Sequence, residues 1–159
     1  MVTLTSNSPE ETLDIGARWG QSATLGLVIG LTGDLGAGKT HLVKGLARGL
    51  GLATRITSPS FALVNEYHVG RLPLFLLYLY RLDTPGQIVT AGLDDYLFSP
   101  AGVTVVEWIE RWLPDLAANP DLLGSPAPRR SGLPPLFRRV VILTNGETSR
   151  QIVYEDFGA

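Results

Sequence analysis

The stretch GDLGAGKT, Gly33–Thr40, decides how the rest of the chain is read. Before it stands TLGLVIGLTG, Thr24–Gly33, a short apolar run bounded by glycines that reads as a buried strand. After it, HLVKGLARGLG, His41–Gly51, places Leu42, Leu46 and Leu50 on one stripe. That predicts a helix opening near Gly38 and stopping at Gly51. Glycines let a backbone wrap closely around phosphate, and successive N–H groups then form an anion nest. The helix behind adds roughly half a positive charge at its N-terminus. The spacing G-x-x-x-x-G-K-T follows the phosphate-loop pattern without a departure. The expected cradle is Gly33, Asp34, Leu35, Gly36, Ala37 and Gly38, with His41 near the phosphates on the first helical turn. Lys39 should reach the β- and γ-phosphates of a nucleotide such as ATP, and the Thr40 hydroxyl should ligate Mg²⁺. The alternative is a glycine-rich turn without a ligand, but strand before and helix after are the context the motif requires.

A phosphate loop leaves open a second acidic group for the metal and a group that positions water or acceptor. Glu107 is the best acid, because it ends the apolar strand VTVVE, Val103–Glu107, where a carboxylate should emerge beside the nucleotide. In TSPSF, Thr57–Phe61, the hydroxyls could sense the γ-phosphate as a switch loop does; Ser-Pro is equally ordinary turn material. His68 reads as a hairpin residue, and Arg129-Arg130 as a solvated loop pair or, more sharply, a partner contact.

The remaining chain supplies the frame. Ser8-Pro9-Glu10-Glu11 is a helix start with a cap, a proline at the first position and a capping-box glutamate, predicting a helix over Pro9–Ser22. FALVNEY and LPLFLLYLY are strand-like, with HVGR as a hairpin connection. Pro85 starts a short helix, GLDDYL continues irregularly, and VTVVEW is a buried strand. Residues 119–135, rich in Pro, Gly and Ser, read as a surface loop. RRVVILTNGETSRQIVYEDF gives two strands joined at Asn145-Gly146. The expected fold is α/β: a P-loop NTPase-like three-layer sandwich with a mixed, mostly parallel central sheet and a C-terminal β-hairpin, one domain over 1–159.

Composition narrows the function classes. With 45% hydrophobic and 18% charged residues in 159, the chain can bury a real core. The apolar run Leu72–Tyr80 holds Pro73 and is flanked by Arg71 and Arg81, too short for the roughly 20 residues of a spanning helix. No signal segment is evident at the N-terminus, and a cytoplasmic location is expected. The absence of cysteine excludes disulfides, thiolate metal sites and a cysteine nucleophile, and no metal cluster is expected. A net charge of −2 argues against autonomous nucleic-acid binding.

Five blocks in order, GDLGAGKT, ITSPSFALVNEY, LYRL, GLDDYL and VVEW followed by ERWLP, resemble the TsaE (YjeE) family. This is the P-loop ATPase family of bacterial tRNA threonylcarbamoyladenosine synthesis. The resemblance spans most of Thr32–Pro114 and rests on the combination more than on the widely shared P-loop. It implies an ATP- and Mg²⁺-binding protein acting with the TsaB and TsaD partners and meeting tRNA only indirectly, through that complex. ATP hydrolysis would reset or drive the complex. By match, Lys39 and Thr40 take the phosphate and metal roles, Glu107 the acidic metal role and Trp108 the tryptophan of the EW pair. Ser60 stands where the family usually has threonine and keeps the catalytic-loop hydroxyl. Further nucleotide contacts are implied around Ser8–Thr12 and at Arg150.

One block departs from that pattern. The family strand reads H-x-D-x-Y-R, and alignment on Tyr80-Arg81 puts Leu76 at the His and Tyr78 at the active-site Asp. A phenol is neutral near pH 7, with a pKa of about 10, and is a poor Mg²⁺ ligand. Three readings follow: an ATPase inside the tRNA-modifying assembly, a nucleotide-dependent binding module with little turnover, or a small-molecule P-loop kinase. The last finds no arginine-bearing lid or acceptor pocket in its favour.

Overall fold

The computed structural model describes residues 2–33, 38–52, 64–68, 70–78, 94–98, 100–107, 136–144 and 146–157. In chain order the elements are β1 (Val2–Ser6), α1 (Pro9–Ser22), β2 (Leu27–Gly33), α2 (Lys39–Gly49), β3 (Val64–Tyr67) and β4 (Leu74–Tyr78). The short α3 (Asp94–Phe98), β5 (Val103–Glu107), β6 (Leu136–Thr144) and β7 (Arg150–Phe157) follow. The strands form one sheet in the order β1-β7-β6-β2-β5-β4-β3. Its centre, β6-β2-β5-β4, is parallel. Antiparallel β3 flanks one side, and antiparallel β7 followed by β1 the other.

Local chemistry explains where the helices begin and end. Ser8 accepts a hydrogen bond from the Glu11 amide at 3.1 Å, and Glu11 Oε2 accepts from the Asn7 amide at 2.7 Å. That is the expected capping box, with its return bond one residue further out. α2 closes at Gly51, where φ is +79°. The Gly51 amide donates to Arg48 and the Leu52 amide to Ala47, both at 3.0 Å. This pair of bonds is a Schellman ending, which needs a left-handed residue and therefore favours glycine.

Helices α1 and α2 pack side by side on one face of the sheet, over Ile29, Leu31, Leu74, Leu76, Val103, Val105, Val140, Ile142 and Ile152. The opposite face carries α3, whose Tyr96 meets Phe75 edge-on with ring centroids 5.2 Å apart. Because side chains alternate along a strand, Val28 and Val106 are buried on that second face, as expected for parallel strands covered on both sides. No described helix is long and apolar enough to cross a membrane.

Several expectations are corrected. Val2–Ser6 is a strand, paired with β7 at the sheet edge, although it was not foreseen. Asp94–Phe98, read as irregular, forms a helix, pinned where Thr104 Oγ1 donates to the Tyr96 carbonyl at 2.7 Å. The C-terminal strands do pair as a hairpin, but the connection runs over 145–149 and is longer than a two-residue turn, with Gly146 at φ +99°. Likewise the β3–β4 connection extends past HVGR to Pro73. The helix expected at Pro85 and the loop over 119–135 lie outside the described residues.

Candidate functional site

The carboxyl ends of the parallel strands meet at one edge, the place where open α/β sheets bind ligands. β2 ends there at Gly33, which stands opposite Ile142 of β6. On its other side β5 ends at Glu107, in register with Leu31 of β2 and with Tyr78 of β4. The order of connections reverses at β2, since the chain goes first to β4 and β5 and only later to β6. β2 thus ends at the switch point of the sheet.

α2 opens at Lys39, capped by Gly38. Gly38 precedes its first residue at φ +101°, and among the described residues a Cβ built on it would meet only the Thr12 methyl, at 3.9 Å. Lys39 Nζ donates to the Gly33 carbonyl at 3.0 Å, folding the ammonium back onto the end of β2. Thr40 is exposed and His41 half-buried on the first turn of α2. Glu107 is half-buried. Burial pushes its carboxyl above the ordinary range, and the charge of Lys39 pulls it back in part. Glu107 therefore stands within the field of the Lys39 ammonium at the strand edge, an arrangement suited to an anion with an accompanying cation.

The start of α1 reaches the same edge. Ser6, which ends β1, is fully buried and shares a 2.7 Å hydrogen bond with the Thr12 hydroxyl. Ser6 Oγ also donates to the Ser8 carbonyl at 2.8 Å. Arg150 stands opposite both Ser6 and Thr144, and its Nη1 donates to the carbonyls of Gly146 and Ser149 at 3.1 and 2.9 Å. Leu76 is 7% exposed within the apolar core beneath the helices. His68 follows β3 and lies 3.8 Å from Glu66, away from this edge. Asp34, Leu35, Gly36, Ala37, Ser60 and Trp108 lie outside the described residues.

The donor set suits a nucleotide with Mg²⁺. Among the described residues no three His, Asp or Glu side chains converge into a metal cage. An ion here would therefore take one hydroxyl from Thr40, the carboxylate of Glu107 and oxygens from a bound phosphate, the usual way Mg²⁺ is held.

The sequence reading missed how α1 reaches this place. Gly16 and Gly20 of α1 lie against Leu42 and Leu46 of α2, and Gly45 and Gly49 of α2 lie against Leu13 and Ala17 of α1. The contacts advance together along both helices, so the two run parallel with both N-termini at the site. The signal was present as a G-x-x-x-G spacing in each helix, the pattern that permits close backbone approach.

Comparison with known proteins identifies the family. The family model for threonylcarbamoyl adenosine biosynthesis protein TsaE matches residues 6–126. A tRNA threonylcarbamoyladenosine biosynthesis protein TsaE from Nostoc is 47% identical over 105 residues, 64% of this chain and 64% of that relative. Its Bacillus subtilis counterpart is 44% identical over 110 residues, 67% of this chain and 68% of its own length. The matched region therefore spans a little under two thirds of the Nostoc relative. Among solved structures, Bacillus subtilis YdiB superposes with a TM-score of 0.69 at 33% identity, covering 96% of this chain and 83% of that one.

Proposed function

The chain belongs to the TsaE family, and from that premise we propose that it is the ATP-binding, ATP-hydrolysing component of tRNA threonylcarbamoyladenosine synthesis, acting with TsaB and TsaD. The observation that carries the reading is Glu107 at the end of β5, beside the strand that feeds the glycine-rich turn and within the field of Lys39. Lys39 leaves the Gly33 carbonyl for the β- and γ-phosphates, an exchange of a neutral acceptor for a charged one that strengthens the bond. The N-terminus of α2 stabilises the same negative charge. Thr40 and Glu107 would hold Mg²⁺, which screens charge on the phosphates when bound. In hydrolysis, water attacks the γ-phosphorus and the bond to the β,γ-bridging oxygen breaks, giving ADP and phosphate. The Ser60 hydroxyl would sense the γ-phosphate as a switch loop does. tRNA is met through the partner complex, in keeping with the net charge of −2.

A second reading, a nucleotide-dependent binding module with little turnover, has its own support. The residue opposite Glu107 in the β4–β5 register is Tyr78, and Leu76 two residues earlier is packed in the apolar core. Neither supplies a carboxylate or an imidazole.

Turnover of radiolabelled ATP, alone and with purified TsaB and TsaD, separates the two. The ATPase reading expects phosphate release by wild type that rises with the partners, whereas the binding-module reading expects substantial release only on Tyr78→Asp. Release by wild type equal to that of Tyr78→Asp removes the binding-module reading. Absence of release by both forms with partners removes the ATPase reading. Lys39→Ala should lose most ATP affinity in calorimetry, and unchanged binding would refute the cradle assignment.

A further inference from the structure

The phosphate cradle by itself gives no reason for α1 to be pressed so closely on α2. A Cβ on Gly45 would stand 2.0 Å from the Leu13 carbonyl oxygen, and one on Gly49 2.1 Å from that of Ala17. From the other side, Gly16 would stand 2.2 Å from the Leu42 carbonyl oxygen and Gly20 2.3 Å from that of Leu46. All four obstacles are backbone, so no side chain can swing aside. The far ends are joined separately: Arg71 Nη2 donates to the Gly20 and Ala23 carbonyls at the end of α1, at 2.6 and 2.8 Å. The Arg71 amide donates to Leu50 at the end of α2, at 2.7 Å. At the near end, the Thr12 methyl lies 3.9 Å from where a Cβ on Gly38 would stand, and Thr12 is tied to β1 through Ser6.

We propose that α1 and α2 form one rigid body, and that their glycine contact is a positioning device that places the first residues of α2, Gly38 to Thr40, for the nucleotide by holding Thr12 beside Gly38. The inference rests on the nucleotide reading above and adds residues that touch no nucleotide. A methyl group at Gly45 must push α1 away from α2. Thr12 travels with α1 while Ser6 holds it to the sheet, so the strain is delivered to the first residues of α2. Nucleotide binding tightens in proportion to how well those residues are placed beforehand.

The test compares Gly45→Ala with Gly102→Ala, whose Cβ would stand 2.3 Å from the Pro73 carbonyl oxygen at the opposite end of β5. Both variants force a similar backbone shift, but only the first lies on α2. ATP affinity is measured by calorimetry at a temperature where circular dichroism shows the variants folded. Gly45→Ala should weaken binding by about tenfold or more, and Gly102→Ala by about twofold or less. Wild-type-like binding by Gly45→Ala, or equal loss in Gly102→Ala, overturns the proposal. Should Gly45→Ala fail to fold, hydrogen exchange on the wild type decides. Saturating ATP should slow exchange across Ile15–Trp19 of α1 together with Leu42–Leu46 of α2, whereas slowing confined to α2 overturns it. Failure of the wild type to bind ATP is a different result, because it removes the nucleotide reading and this inference with it.

Discussion

Glu107 carries a conflict that a single substitution can expose. Its carboxyl is raised by burial more than Lys39 lowers it, so the ionised form is disfavoured in the folded chain. The sign follows from linkage. Between the ordinary glutamate value and the raised one, the folded state binds more protons than the unfolded state, and stability falls as pH rises through that window. Glu107→Gln should therefore raise the thermal midpoint of the nucleotide-free protein at neutral pH. The gain should shrink on acidification below the window, where the wild-type carboxyl is already protonated. The same variant should weaken Mg²⁺-dependent nucleotide binding, checked by calorimetry with and without the metal. A variant no more stable than wild type at pH 7 would count against the burial cost. The position of Glu107 was legible from its place at the end of VTVVE, but its raised carboxyl depends on burial that only folding produces, and the opposing charge of Lys39 is likewise brought near only by folding.

At the scale of elements, the β6–β7 hairpin shows how register distributes charge. Two successive arginines face two successive acids: Arg138 opposite Asp156, and Arg139 opposite Glu155. Alternation sends one pair to each face of the sheet. On the helix side, Arg138 makes a two-pronged bridge to Asp156 at 2.6 and 2.9 Å and lies over the Trp19 and Tyr154 rings, 4.8 and 4.5 Å from their centroids. On the other side, Arg139 is 3% exposed, 3.2 Å from Glu155. Removing one partner of a buried pair leaves the other charge uncompensated. Glu155→Ala should cost about 2–4 kcal/mol in denaturant unfolding, while Asp156→Ala at the more exposed bridge should cost roughly 1 kcal/mol or less. Equal losses would show that burial does not separate the two pairs. The hairpin itself was legible from Asn145-Gly146. The face each arginine takes was not, because a one-residue change of register would exchange them.

Across the whole molecule, Arg71 joins parts that are distant in sequence. It belongs to the β3–β4 connection yet closes the carbonyl ends of both α1 and α2, where a cation is favoured. Arg71→Ala should lose the two guanidinium bonds and keep the backbone one, costing about 1–2 kcal/mol. In a chain of this size that lowers the thermal midpoint by roughly 2–8 °C. Arg71→Lys should recover only part of this, since one ammonium cannot reproduce the guanidinium geometry. Full recovery would point to charge alone.

Local chemistry determined what the sequence could announce unaided. The strand–glycine turn–helix unit, the Ser8 cap, the Gly51 stop and Glu107 as the acid closing an apolar strand each depend on residues close together in the chain. The edge place of β1, the parallel glycine contact between α1 and α2, the face taken by Arg138 or Arg139, and the burial of Leu76 were decided by tertiary structure. Each depends on which distant backbone comes to lie alongside, and local patterns of residues do not encode that neighbour. The strand and the helix on either side of residues 34–37 are announced by the residues within them, whereas the helix packed beside α2 is known only once the sheet and both helices have closed together.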